Sequence, residues 1–326
     1  MALASCERNT VLKQFCIALS LLVSLPLYAA KDNAATVPVK PVKIGTHSYY
    51  VQGLSGAASS VNQGFMSNAG FVITPDGVVV FDALGSPPLA EALVAKIRKL
   101  TPAPIKRVIV SHYHADHIYG LQVFKALGAE IWAHERSKEY LASEERELRL
   151  TQRREELFPW VDEKTKILEP DVWLSGDTDF TMGGIHFAVR YVGPAHSPED
   201  MALYIQEDNV LFAGDLVFKG RVPYVGTANS KLWLEALDKL LAFNAKTMVP
   251  GHGAVSRNPK QDLTLTRDYL SYLRKSMGQA VEDFVSFDKA YAKTSWKKYR
   301  KLPAFEDANR SNAYNTFLLM ERESLK

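Results

Sequence analysis

The chain has 326 residues, enough for one large or two modest domains with a true core. Its formal net charge of +3 gives no argument for nucleic-acid binding or for an acidic tail. A hydrophobic content of 47% is ordinary for a globular protein.

The first 30 residues differ from the rest. Arg8 and Lys13 make a positive n-region, and Phe15 to Tyr28 is an apolar stretch. That stretch has the length of a signal h-region and is short for a spanning helix. Leu27-Tyr28-Ala29-Ala30 offers small residues for cleavage. The segment reads as a secretory signal peptide, which makes the mature protein periplasmic or secreted with no stable membrane insertion. The competing reading is an uncleaved anchor. Both cysteines, Cys6 and Cys16, lie in this segment. A cleaved chain therefore has no disulfide and no thiolate ligand or nucleophile. Residues 31–41, with Pro38 and Pro41, read as a linker.

Three strands follow, over Ser48–Val51, Gly70–Ile73 and Val78–Phe81. Pro75-Asp76-Gly77 turns the chain between the last two, since proline presets φ and glycine accepts positive φ. Asp82 ends the third strand, either capping a turn or holding a ligand histidine in place. Pro87–Leu100 is an amphipathic helix closed by Thr101-Pro102, and Val108–Val110 reads as a buried strand.

That strand delivers Ser111-His112-Tyr113-His114-Ala115-Asp116-His117, on which the functional reading rests. The chain has eight histidines, and three of them fall within these seven positions. His112 and His114 are two apart, so a short bend brings both imidazoles to one ion. Asp116 and His117 point away from that pair and can serve a second ion. Neutral imidazole with a nearby carboxylate suits zinc.

A helix over Ile118–Leu127 leads to strand Glu130–Ala133. Glu135–Phe158 reads as one long charged helix, either a solvated surface element or a lid. Strands follow at Ile185–Val189, Ala202–Ile205, Val210–Ala213 and Thr247–Val249, with a helix at Lys231–Leu241. His196, Asp215 and His252 each come shortly after one of these strands, with glycines nearby that let the backbone turn closely. The pattern gives an αββα-like sandwich, expected over 31–257. Helices at Asp262–Val281, Phe284–Tyr291 and Asn309–Glu323 form a C-terminal extension over 258–326. The basic run Lys297 to Lys301 reads as a solvated surface turn or an anion patch.

Residues 45–255 resemble the metallo-β-lactamase superfamily, whose pattern is a His-x-His-x-Asp-His loop followed by His, Asp and His on later loops. The resemblance implies an αββα sandwich with two zinc ions per chain. The first metal takes His112, His114 and His196; the second takes Asp116, His117 and His252; Asp215 bridges. It implies a hydrolase that turns a metal-bridging hydroxide on an ester, thioester, lactone or amide, with Asp116 also able to pass a proton. A true β-lactamase is the alternative within enzymes, and a periplasmic metal-binding accessory protein of a redox system is the alternative outside them. Cysteine-bearing lactamases place Cys where Asp215 stands, and a substrate-holding Lys three residues later, where this chain has Phe218. Lys219 is one further on. The partner is a small molecule. The nucleic-acid branches carry inserted domains, and none is visible here. The redox branch usually has Glu in place of His114 and carries a flavin domain, which is also not seen.

The exported protein is expected to begin at Ala30 or Lys31. Intact-mass measurement checks this, and a chain still starting at Met1 rejects the signal reading.

Overall fold

In the computed structural model, residues 33–325 are described; the expected signal segment, with Cys6, Cys16 and the expected cleavage at Ala29-Ala30, lies outside them. Continuous apolar runs predict strands buried on both faces, and the central strands behave so. In β4 (Gly77–Phe81), Val78 and Val80 enter one apolar layer while Val79 and Phe81 enter another.

The first sheet has seven strands in sequential order: β1 (Val42–Lys43), β2 (Ser48–Val51), β3 (Ala69–Thr74), β4, β5 (Ile105–Ile109), β6 (Glu130–His134) and β7 (Val172–Leu174). The strands from β1 to β4 pair antiparallel and those from β4 to β7 pair parallel. The second sheet holds β8 (Thr178–Met182), β9 (Ile185–Tyr191), β10 (Met201–Ile205), β11 (Val210–Phe212) and β12 (Thr247–Val249), in the order β12-β11-β10-β9-β8. Only β11 and β12 pair parallel there.

Parallel neighbours need crossovers, and helices supply them. α1 (Pro87–Leu100) joins β4 to β5, and α6 (Ser230–Ala242) joins β11 to β12. α1 buries Leu89, Ala90, Leu93, Val94 and Ile97 as one stripe against the outer face of the first sheet. α6 buries Trp233, Ala236, Leu237 and Leu240 against the outer face of the second. Between the sheets lie Val72, Val79, Phe81 and Ile109, facing Phe187, Val189, Leu203, Phe212 and Val249. This is the αββα sandwich.

Two expected helices are broken. Ile118–Leu127 is instead α2 (Ala115–Ile118) and α3 (Leu121–Ala126). The break is at Gly120, whose N–H bonds to Leu84 O; a Cβ there would lie 1.9 Å from Ala83 O. Tight docking onto the end of β4 wins over helix continuation. Glu135–Phe158 is α4 (Ser137–Leu141) and α5 (Glu145–Glu156). Ser143 separates them, its hydroxyl donating to Tyr140 O at 2.7 Å and offering the backbone a local alternative to the helix.

After β12 come α7 (Pro259–Asp262), α8 (Thr264–Glu282), α9 (Phe287–Lys293) and α10 (Phe305–Ser324). α9 starts later than expected, because exposed Phe284 adopts φ 55° and ends the preceding helix. α10 starts earlier than expected, at Phe305 rather than Asn309. Leu270, Leu273, Met277 and Phe317 share one apolar core with α6 and the second sheet. Among the described residues no helix is long and apolar enough to cross a membrane.

The sheets meet closely at Gly70, where a Cβ would fall 2.2 Å from the Phe212 ring. Gly70→Ala is expected to lower stability by about 1–3 kcal/mol through overpacking, read from urea unfolding midpoints.

Candidate metal centre

Strand direction explains where the chemistry collects. β4 and β5 run parallel, as do β9, β11 and β12, and the chain delivers a polar side chain just past each of those C-terminal ends. Asp82 follows β4; His112, His114, Asp116 and His117 follow β5; His196, Asp215 and His252 follow β9, β11 and β12. β10 runs the other way and delivers none.

All seven sequence-selected donors come together. His112, His114, His196 and Asp215 form one group and Asp116, His117 and His252 another, with donor atoms inside each group within 4.8 Å of one another. His112 Nε2 and His196 Nε2 lie 2.9 and 3.0 Å from His114 Nδ1. Asp215 reaches both groups: Oδ2 is 3.5 Å from His196 Nε2 and 3.2 Å from His252 Nε2, while Oδ1 is 3.2 Å from His117 Nε2. Asp116 Oδ2 lies 3.4 Å from His252 Nε2.

The residues fit divalent ions on the structure's own terms. Asp116 Oδ2, His117 Nε2 and Asp215 Oδ1 are buried without a hydrogen-bond partner. Orphaned buried polar atoms are costly, and here they are the inward-facing donors. Nitrogen and carboxylate oxygen donors in this mixture suit zinc and similar cations.

Outer contacts fix which nitrogen faces inward. Asp82 accepts from Ser111 N at 2.7 Å and Ser111 Oγ at 2.8 Å, and its Oδ2 lies 2.8 Å from His117 Nδ1. A carboxylate only accepts, so His117 carries its proton on Nδ1 and turns Nε2 inward. Ser111 Oγ, its proton given to Asp82, accepts from His112 Nδ1 at 2.9 Å. His252 Nδ1 donates to Met66 O at 2.7 Å. Of the two readings of Asp82, the histidine contact is the one formed. Asp82 has φ 64° and Leu84 φ 67°; left-handed non-glycine residues cost about 1–3 kcal/mol each and collect at functional sites.

The loops are also locked. Asn68 Nδ2 donates to Pro250 O at 2.7 Å and Gly253 O at 2.8 Å, clamping the His252 loop. Gly251 sits so close that a Cβ would meet Asp215 Oδ1 at 2.0 Å. Glu199 accepts from Tyr113 N at 2.9 Å, tying the His196 loop to the first one.

Burial pushes His112, His114 and His196 down, His196 to about 3, aided at His112 and His196 by neighbouring imidazoles. Burial also opposes charge on His117, but Asp215, Asp116 and Asp82 outweigh it and hold that imidazole well above its usual value. Asp215 is buried too, yet His252 and His117 keep it well below the usual carboxylate range.

A cavity of 550 Å³ opens over the centre, lined by His114, Asp116, His196, Asp215 and His252. α4 and α5 give it Tyr140, Arg149 and Arg153, so this segment borders the site while Leu148 faces outward. α10 contributes Asp307, Ala308 and Asn315. Lys219 does not reach the cavity: its Nζ bonds Asp262 Oδ2 at 2.6 Å. Phe218 stacks on His252 with centroids 4.9 Å apart. Sequence reasoning considered only Phe218 and Lys219 here and missed Arg221, which is 6% exposed and lines the cavity. The sequence signal was faint, a single arginine in a Gly/Pro-containing loop.

A family model described as the metallo-beta-lactamase superfamily matches residues 62–252. The chain is 26% identical over 234 residues to a linear primary-alkylsulfatase of Pseudomonas sp. (strain ATCC 19151), covering 61% of this chain and 44% of that one. It is 24% identical over 217 residues to metallo-beta-lactamase IND-1 of Chryseobacterium indologenes, covering 65% and 80%. The solved stereoselective inverting sec-alkylsulfatase Pisa1 from Pseudomonas sp. superposes with a TM-score of 0.66 at 18% identity, covering 86% of this chain and 50% of that one. The chain spans less than half the length of the first of these relatives.

Asp215, Asp116 and Asp82 strengthen the hold of His117 on a proton, which a metal at Nε2 must displace. Zinc uptake is therefore expected to release protons, and its apparent affinity to fall as pH falls. Calorimetry in buffers of different ionisation heat measures both. In the same titration Asp82→Asn should weaken binding by about 10- to 100-fold.

Proposed function

Because the chain belongs to the metallo-β-lactamase superfamily, we propose that it is a dinuclear zinc hydrolase of an ester, thioester, lactone or amide, exported from the cytoplasm. The observation that carries this reading is Asp215, a buried carboxylate within reach of both donor groups and with one oxygen unpaired.

His112, His114 and His196 would hold one ion, Asp116, His117 and His252 the other, and Asp215 would span them. When bound, the pair supplies a nucleophilic water near neutral pH and Lewis-acid polarisation of the attacked group. The protein's part is to present donors in fixed tautomers, so little reorganisation is needed at the moment of reaction. Asp116 lines the cavity with Oδ2 unpaired, which suits it to carry a proton as well as to bind. Ser197, also at the cavity wall, donates its hydroxyl to Asp200 at 2.8 Å and is bonded to no histidine among the described residues. That supports a mechanism without a protein nucleophile.

Against the lactamase alternative stands Asp215, a carboxylate within reach of both donor groups where the cysteine-bearing lactamases place a thiolate. Against a purely accessory role stands the complete donor set beneath an open cavity. The cavity volume is that of a small-molecule site.

With zinc loaded, esters, thioesters or lactones are expected to give higher kcat/KM than β-lactams. Chelation should abolish turnover, and zinc should restore it. A penicillin or carbapenem that outperforms every other substrate by about tenfold, roughly 1.4 kcal/mol, would replace this reading with the lactamase one. Tight zinc binding without turnover on any of them would leave the accessory role.

A further inference from the structure

We infer that Arg221 is the anion-recognising residue of the cavity, and that the natural substrate is a small anionic amphiphile bearing a carboxylate or sulfate group. This rests on the hydrolase reading and names its substrate class.

The guanidinium is nearly enclosed but not neutralised. Nη1 donates to Gly56 O at 3.0 Å and lies 3.4 Å from His252 Nδ1, and Nε donates to Val222 O at 3.4 Å, while Nη2 bonds to no described residue. No described carboxylate stands at ion-pair distance from it. The acids that act on it from further off are Asp215, Asp116 and Asp307. The first two belong to the metal centre, so cations bound there compete for their charge. Asp307 is exposed on α10. A buried cation in that position needs an anion, and a guanidinium with a free edge is shaped for an oxo-anion.

The other cations nearby already have acids. Arg149 lies 3.7 Å from Glu145, Arg153 pairs with Glu156, and Lys219 pairs with Asp262. The Arg221 loop is held ready. Val222 N donates to Pro303 O at 3.0 Å, Val225 N to Asn312 Oδ1 at 2.9 Å, and Asn312 Nδ2 to Pro223 O at 2.7 Å. Ala57, Ala58, Val225, Ala228 and Ala308 give the wall an apolar stretch for a hydrocarbon body, beside polar groups such as Glu139, Glu145, Thr227 and Asn229.

The test is calorimetric titration of the zinc-loaded protein with octanoate, octane-1-sulfonate and octan-1-ol, beside kcat/KM for phenyl hydrogen succinate and phenyl acetate. The wild type should prefer the anions in both. Arg221→Met should reduce the anion-over-neutral ratio at least tenfold. Arg221→Lys, which keeps charge but not the fork, should reduce it less and serves if the methionine variant fails to fold. Tighter octanoate assigns a carboxylate, and tighter sulfonate assigns a sulfate. Equal loss for anions and neutral compounds makes Arg221 only a tie to Gly56 and overturns the inference, as does a wild type without anion preference. If anion preference depends on Arg221 but no ester is hydrolysed, the anion site stands and the hydrolase reading falls.

Discussion

Asp82, Asp116 and Asp215 are three carboxylates buried within contact of five imidazoles, and that concentration of charge governs the molecule. Burying even one unpaired carboxylate is expensive. Here each is set against histidine nitrogens, and all three raise the affinity of His117 for a proton. The site is also suited to metal, because burial lowers the proton affinity of His112, His114 and His196 and so favours the neutral imidazoles that bind cations.

Holding such a cluster needs a rigid frame, and the sandwich supplies one by ending strands of both sheets at the same place. Asp82 joins this frame to the chemistry. It terminates β4 in a left-handed conformation, receives the backbone of Ser111 beyond β5, and orients His117 directly and His112 through the Ser111 hydroxyl. Asn68 and Glu199 do the same for the loops of His252 and His196 through backbone groups. Loop precision therefore comes from side chains that touch no substrate.

The donors were legible in the sequence because metal ligation demands particular residue types at short spacing after apolar runs. The sandwich was legible because burial on two faces leaves continuous apolar runs such as Val78 to Phe81. What was not legible depends on contacts remote in sequence. The helix break at Gly120 is made by Ala83 and Leu84. Arg221 looks like any loop arginine until Gly56 and Asn312 position it and its loop. Asn312 itself lies in a helix expected only as part of a C-terminal extension, yet it is fully buried and braces the cavity wall.

The cavity thus has two owners. Its floor comes from the ends of strands, while its walls come from α4, α5, the 221–229 loop and α10. Selection can act on these separately. A lineage can redraw the walls by exchanging residues on three helices and a loop, with the metal chemistry inherited unchanged beneath. Shared descent of the floor with alkylsulfatases and β-lactamases then carries little information about diet, and the C-terminal helix becomes the place where relatives of this chain would diverge in taste.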